Sequence, residues 1–226
     1  MSHITALYYS HAEPPGNVGP YCRRKLRECL GDDIRLVSVV DPWTMNGIAH
    51  QSSINSTTIG RIPKGTGHQD ITNRILEGLA DITTEYVALC EHDVIYPVNY
   101  FTDALAAAKR MSERWLYYGS AVHLTSNGWR AHQNYPRSRL LSCLTARRVD
   151  LAEFFTERAE SIERGERVKV AEPTIGGHGY WSNSDVVIDI RHGGNLTGNR
   201  TGKHIDREGL RPLQAVELWK DLGLES

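Results

Sequence analysis

The 226-residue chain has no apolar run near the ~20 residues that a membrane-spanning helix requires. Its start, MSHITALYYSHAEPP, also lacks the basic opening and apolar core of a secretion signal. A cytoplasmic protein without a membrane anchor is therefore expected. Cysteine is scarce: Cys22, Cys29, Cys90 and Cys143 include no C-x-x-C pair, which argues against a zinc knuckle or a disulfide framework and for reduced, mostly buried thiols. Excess charge of either sign is missing too. Lys and Arg total 26 against 27 Asp and Glu, a net charge of −1, so nucleic acid is not held by bulk charge, although a local basic groove stays open. There is no G-x-x-x-x-G-K-S/T loop around Lys64, Gly65 and Gly67 and no G-x-S-x-G elbow, which removes the P-loop and serine-hydrolase readings. No internal repeat or low-complexity tract occurs.

The elements that are present alternate. Residues 4–10 (ITALYYS) and 34–40 (IRLVSVV) are β-branched and apolar and read as buried strands, as does 85–90 (EYVALC). Helices are expected at 20–30, ending before Gly31, at 69–80 with Ile71, Ile75, Leu76 and Leu79 on one face, and at 99–112. The charges Arg23, Arg24, Lys25 and Arg27 read as the wet face of the first helix. Residues 42–67 read as loop with a short strand near 58–62. In the second half, strands at 115–124 and 129–135 flank Ser126-Asn127-Gly128, a hairpin signal. A strand at 140–145, a charged helix at 148–164, an irregular stretch over 166–204 and a closing helix at 211–222 complete the reading. Strands alternating with helices predict an α/β fold with a mostly parallel, Rossmann-type mixed sheet flanked by helices. In such sheets ligands bind at the carboxyl ends of the strands, so Ser10, Asp41 and the segment Glu91-His92-Asp93 should meet in one crevice.

The densest chemistry lies in ALCEHDVIYP, residues 88–97. Glu91 and Asp93 follow an apolar strand at i and i+2, a spacing that puts both carboxylates on one face if the strand continues. Close carboxylates repel, and a hard divalent ion such as Mg²⁺ or Mn²⁺ relieves that repulsion while bridging to phosphate oxygens.

Together, ITALYYSHAEP, LVSVVDP, IPKGTGHQDITNRILEGLA and EHD resemble, in order and spacing, the nucleotide-sugar glycosyltransferases of the GT-A fold, particularly the family-2-like group. The resemblance covers residues 4–97 closely and the remainder in outline. It implies a nucleotide-sugar-binding half over 1–97 and an acceptor-side half over 98–226 within one domain. Ser10 and Asp41 then sit by the donor's base, Lys64 and Gly65 lie in its glycine-containing loop, Asn73 matches the helix, and Asp93 matches the metal-binding acid of the D-x-D motif. Glu91 departs from that motif, which has Asp first; it then reaches the metal through water or touches the ribose.

The resemblance extends the reading to two later segments. In VVIDIRHGGNLTGNR, His192 follows a strand and precedes glycines, at the place where these enzymes supply a histidine to the Mn²⁺ or Mg²⁺ site. Arg191, Arg200, Lys203 and His204 are candidates to neutralise the leaving diphosphate. In AEPTIGGHGYW, Glu172 is the leading candidate for the base that accepts the acceptor's proton, with Asp185 and His178 behind it, and Tyr180 and Trp181 offer flat faces for a sugar or base. The implied donor is a nucleotide diphosphate sugar, UDP-sugar foremost. The implied acceptor is a saccharide or, as in some small bacteriophage enzymes of this type, a 5-hydroxymethylpyrimidine in DNA. Two alternatives stay open: a sugar-nucleotidyltransferase, against which the segment SHAEPPGNVGP lacks the usual glycine-rich Arg-Lys signature, and a non-catalytic nucleotide-sugar or glycan-binding module. Oligomeric state and stereochemical outcome are not legible in the sequence.

Overall fold

A computed structural model of the chain describes residues 3–10, 16–41, 56–60, 67–125, 128–131, 135–166, 172–173, 176–183, 185–191 and 218–223. In chain order the elements are β1 (Ile4–Tyr9), α1 (Val18–Leu30), β2 (Arg35–Val40), β3 (Ser56–Gly60), α2 (His68–Asp81), β4 (Tyr86–Glu91) and β5 (Val94–Ile95). They continue with α3 (Tyr100–Arg110), β6 (Trp115–Tyr118), β7 (Ala121–Thr125), β8 (Gly128–Ala131), β9 (Leu144–Arg147), α4 (Arg148–Glu163), β10 (His178–Trp181) and β11 (Val187–Ile190).

Seven strands form one sheet in the order β10-β6-β9-β4-β1-β2-β3. All run in one direction except β9, which pairs antiparallel with both β4 and β6. This is the mixed, mostly parallel sheet that the alternation predicts, and strands from both expected halves share it. The central strands are apolar throughout because each face meets helices. Ile4, Ala6 and Tyr8 of β1 point toward α1 and α3, joining Leu26, Leu30, Phe101 and Ala104. Leu7 and Tyr9 point the other way, toward Ile71, Ile75 and Leu79 of α2 and Leu151 and Phe155 of α4. A second sheet, β5-β11-β7-β8, packs Val122, Leu124, Trp129 and Ile190 against Val18, Cys22 and Leu222.

Helix ends follow the punctuation. Helix α1 begins two residues before the expected start and carries Pro20 in its first turn, where amide hydrogens have no intrahelical partner to lose. It stops at Gly31, whose φ of 57° is open to glycine and whose N–H donates to the Arg27 carbonyl at 3.1 Å. Arg23 is not on the wet face: its side chain is buried.

Three other expectations change. The run 115–124 is two strands in different sheets, β6 and β7, broken at Gly119-Ser120. There a Cβ on Gly119 would lie 2.2 Å from the Pro136 carbonyl oxygen, and Gly119 N–H donates to Trp181 O at 2.9 Å. The stretch expected to be irregular over 166–204 contains β10, too short to show a period, while β11, Val187–Ile190, is the strand expected before His192. The strand expected at 140–145 begins as a 3₁₀ turn at Leu141–Cys143 and becomes β9 only from Leu144. The hairpin is present, with Thr125 opposite Gly128 in the β7–β8 pair. All four cysteines are free thiols, and three are buried. Among the described residues no helix is long and apolar enough to cross a membrane.

Candidate functional site

The parallel strands β1, β2 and β4 end side by side, with Tyr9 in register with Glu91. Ser10 and Asp41 are buried at the tips of β1 and β2, and Ser10 N–H donates to Val39 O at 3.1 Å. Tyr9 Oη donates to Glu91 Oε1 at 2.7 Å. The Glu91 backbone is fixed as well: its N–H donates to Tyr96 Oη at 3.2 Å, and that hydroxyl donates to the Ser142 carbonyl at 3.0 Å.

Strand β4 ends at Glu91, and the chain turns through His92-Asp93 into β5 of the second sheet. Glu91 and Asp93 are therefore not two positions of one regular strand. The turn still leaves them close. The Glu91 carboxyl is raised from its ordinary value to about 8, first by burial and then by the negative charge of Asp93, while the Tyr9 hydrogen bond opposes the rise. Asp189 and Glu172 add to the same repulsion.

Asp93 is pinned to the late part of the chain. Its carbonyl accepts the Ile190 N–H at 2.9 Å, and Asp189 stands opposite Val94 in the β5–β11 pair. The next residue, Arg191, has its guanidinium against Asp189 Oδ2 at 2.7 Å and its Nε 3.0 Å from His123 Nδ1, which itself lies 3.2 Å from Asp189 Oδ2. Strand β11 thus delivers the chain to within one residue of His192 beside the acidic turn. His192 itself, like Lys64, Gly65 and Lys203, lies outside the described residues. Among the described residues, no three acid, histidine or cysteine side chains meet closely enough to hold an ion by themselves. At the acidic turn Glu91 and Asp93 offer oxygen, the ligand atom that a hard cation takes, whereas Asp189 is already paired with Arg191.

Asp41 sits in a buried ion-pair triad. The Arg74 guanidinium, fully buried, pairs through Nη2 with Asp41 Oδ1 and through Nε with Asp70 Oδ2 at 2.6 Å. Asp41 Oδ2 and Arg74 Nη1 remain without a hydrogen-bond partner among the described residues. One buried acceptor and one buried donor are thus left at the tip of β2, the complement of a polar edge with an N–H beside an acceptor atom.

On the α2–α4 side, Arg158 Nε donates to Thr72 Oγ1 at 2.9 Å, and Thr72 Oγ1 donates to the His68 carbonyl at 2.7 Å. Burial, then the Arg158 charge, lowers the His68 imidazole. Glu172, half-buried, is near enough for its charge to act on His68, Arg158, Tyr9, Glu91 and Tyr117. The structure therefore brings Ser10, Asp41, Glu91, Asp93, Arg191 and Glu172 to one edge of the sheet. It does not bring Asp185 there in any described contact. That residue is exposed, its N–H bonded to Asn183 Oδ1 at 3.0 Å and its carbonyl accepting the Tyr118 hydroxyl at 2.7 Å.

Four residues of this edge escape sequence reasoning. Tyr9 and Arg158 carry no signal of their own. Arg74 is four residues after Asp70 on a helix, a spacing that does signal a pair. Asp189 is an acid inside the apolar run VVIDI, which is a readable anomaly.

No family model and no curated protein sequence matches this chain. Solved structures do match. S. aureus TarS 1–349 in complex with UDP-GlcNAc superposes with a TM-score of 0.56 at 12% identity, over 87% of this chain and 61% of that one. The same TarS fragment with UDP gives a TM-score of 0.53 at 10% identity, over 83% and 60%. HddC from Yersinia pseudotuberculosis gives 0.52 at 9% identity, over 83% of this chain and 93% of that one. The chain spans about three fifths of the TarS fragment. The fold is accordingly a GT-A-like, Rossmann-type mixed sheet of the kind that glycosyltransferases and nucleotidyltransferases use.

Proposed function

We propose that the chain is a glycosyltransferase that moves a sugar from a nucleotide diphosphate sugar, UDP-sugar foremost, to an acceptor hydroxyl with the help of Mn²⁺ or Mg²⁺. The observation that carries this reading is the Asp93–Ile190 hydrogen bond, which sets an acidic turn and the segment leading to His192 together at the strand ends. The fold shared with a TarS fragment solved with UDP-GlcNAc supports it.

In this reading Asp41 and Arg74 take the polar edge of the base, Asp41 accepting an N–H and Arg74 donating. Asp93 and His192 hold the cation, assisted by Glu91, and Lys64, Gly65, Arg191 and Lys203 lie along the diphosphate. The cation, when bound, neutralises charge developing on the leaving diphosphate. The acceptor oxygen bonds to the anomeric carbon, the carbon–oxygen bond to the diphosphate breaks with its electron pair, and the hydroxyl proton goes to Glu172. Asp185 is the weaker candidate for that proton because its carboxylate has no described contact with this edge.

The acceptor is a saccharide or a 5-hydroxymethylpyrimidine of DNA. A second enzymatic reading, sugar-nucleotidyl transfer, is favoured by the match over nearly the whole of HddC. Two panels, nucleotide sugars with acceptors and nucleoside triphosphates with sugar 1-phosphates, each incubated with Mn²⁺ or with chelator, separate the readings by product: nucleoside diphosphate from the first for transfer or hydrolysis of a sugar donor, pyrophosphate from the second for nucleotidyl transfer. Asp93→Asn is expected to lower diphosphate release at least about 100-fold, as the loss of a metal-held charge in the transition state implies. An undiminished rate in that variant, or full activity in chelator, overturns the proposal. Donor binding with no turnover across acceptors indicates a binding module instead.

A further inference from the structure

The edge of the large sheet beyond Glu172 carries an aromatic surface that the donor reading does not use. Tyr117 of β6 and Tyr180 of β10 stand opposite each other in register, with ring centroids 6.2 Å apart. The His178 ring stacks on Tyr117 at 5.9 Å with an interplanar angle of 26°. All three point to the α2–α4 face, the side on which Tyr9 and Glu91 meet, whereas Trp181, next in β10, turns to the opposite face and packs on Tyr100 and Tyr118. Tyr117 is fully buried, while Tyr180 and His178 are half-exposed over it. The His178 Nε2 and the Pro173 carbonyl are 3.0 Å apart, a bond in which the imidazole N–H donates, and it ties the residue after Glu172 to this surface. The Tyr117 hydroxyl has no hydrogen-bond partner among the described residues. Burial and then the nearby Glu172 charge hold it in its protonated, donating form.

We infer that Tyr180 and His178, over Tyr117 and beside Glu172, form the acceptor subsite and that it takes a neutral sugar ring. This rests on the glycosyltransferase reading and names its acceptor class. A pyranose presents an apolar C–H face and a rim of hydroxyls. The half-exposed rings match the face, and the half-buried Glu172 and Arg139, both near enough for their charge to act on Tyr117, match the rim. A DNA acceptor asks for the opposite electrostatics. Its phosphates need a row of cations, whereas the charged groups described as acting on these rings are one carboxylate, Glu172, and one guanidinium, Arg139, and the whole chain has a net charge of −1. His178 is a positioning residue here: through Pro173 it sets where the Glu172 carboxylate meets the acceptor hydroxyl.

Saturation-transfer NMR on the full chain tests this with UDP, with a set of methyl glycosides (glucoside, galactoside and N-acetylglucosaminide) at millimolar concentration, and with a short duplex containing 5-hydroxymethyluracil. The wild type is expected to give signals on UDP and on the ring C–H protons of at least one glycoside. Tyr180→Ala, at a half-exposed position, should cut the glycoside signal at least about fivefold and leave the UDP signal unchanged. Tyr117→Phe removes only a buried hydroxyl and keeps the ring packing, so it should leave both signals unchanged. Glycoside signals absent in the wild type, or equal in wild type and Tyr180→Ala, overturn the inference, as does binding of the duplex with no glycoside binding. Loss of the UDP signal in the wild type indicts the donor reading instead, so the two failures are distinct.

Discussion

Replacing Arg74 by methionine perturbs the most enclosed charge in the described structure. Arg74 is fully buried, and its partners Asp41 and Asp70 are 1% and 3% exposed, so water cannot re-solvate what the substitution leaves behind. Methionine retains most of the volume, which keeps the cavity term small and isolates the electrostatic one. Removing one member of a buried ion pair costs about 3–5 kcal/mol, because the remaining charge is unpaired in a poorly polarisable setting. For a domain of this size 1 kcal/mol shifts Tm by about 2–4 °C, so a fall of about 6–20 °C is expected. The triple variant Arg74→Met, Asp41→Asn, Asp70→Asn should recover more than half of that loss, since no buried charge remains. Differential scanning calorimetry on the three proteins reads both numbers. If Arg74→Met melts within 2–3 °C of wild type, or if the triple variant is no better than the single, the triad is not the isolated buried cluster described here. The same variant, at a temperature where it is folded, should bind the preferred nucleotide about tenfold or more weakly, because the donor at the tip of β2 is gone.

Two further outcomes follow from the acidic turn and from the break between sheets. The raised Glu91 carboxyl stabilises the metal-free protein below its unfolded value near 4.5, and that contribution is lost as pH climbs through about 8. Glu91→Gln should therefore melt at a temperature closer to wild type at pH 5 and higher than wild type at pH 8.5, by at least about 1 kcal/mol of stability, and Mn²⁺ should narrow the gap; equal melting differences at both pH values refute it. Gly119→Ala places a methyl 2.2 Å from the Pro136 carbonyl oxygen, a backbone atom with little freedom to yield, and should cost about 2 kcal/mol or more in chemical denaturation; a loss under about 0.5 kcal/mol would mean that the 136–138 segment is free to move.

The parts of the fold that are legible in the sequence are those where one local rule decides. The strands ITALYY, RLVSVV and YVALCE are buried on both faces, so they show as continuous apolar runs. Gly31 and Gly165 end their helices with positive φ, and glycine is the residue that takes it without strain. What escapes is set by distant parts of the chain. Residues 115–124 read as one strand because every residue suits a strand. The break comes from the close approach of residues 136 and 181 to Gly119, which no local pattern encodes. The site divides in the same way. Asp41, Glu91 and Asp93 follow apolar strands and stand out. Arg74 and Tyr9 look like ordinary helix and strand residues until the fold sets them against Asp41 and Glu91, as does Arg158 until it comes near Glu172.

The second sheet explains why the acids gather where they do. The chain leaves the large sheet twice at the same end, after Glu91 of β4 into β5 and after Tyr118 of β6 into β7, and β11 then pairs with both β5 and β7. That pairing forces Asp189 next to Val94 and ties Ile190 to Asp93. Arg191 answers Asp189, but no comparable pairing is described for Glu91, whose half-buried carboxylate is bonded by the neutral Tyr9 hydroxyl. Stability alone would favour a neutral or apolar residue at the end of β4, because a carboxyl among like charges either ionises at a cost or stays protonated, as the rise of Glu91 to about 8 implies. The cost makes sense if the turn spends its working life around a cation, and it sets the size of the effect to look for: a divalent ion should raise Tm more than monovalent salt at equal ionic strength, and should do so less in Glu91→Gln. Equal effects of the two salts would leave the acidic turn without the ligand its charge implies.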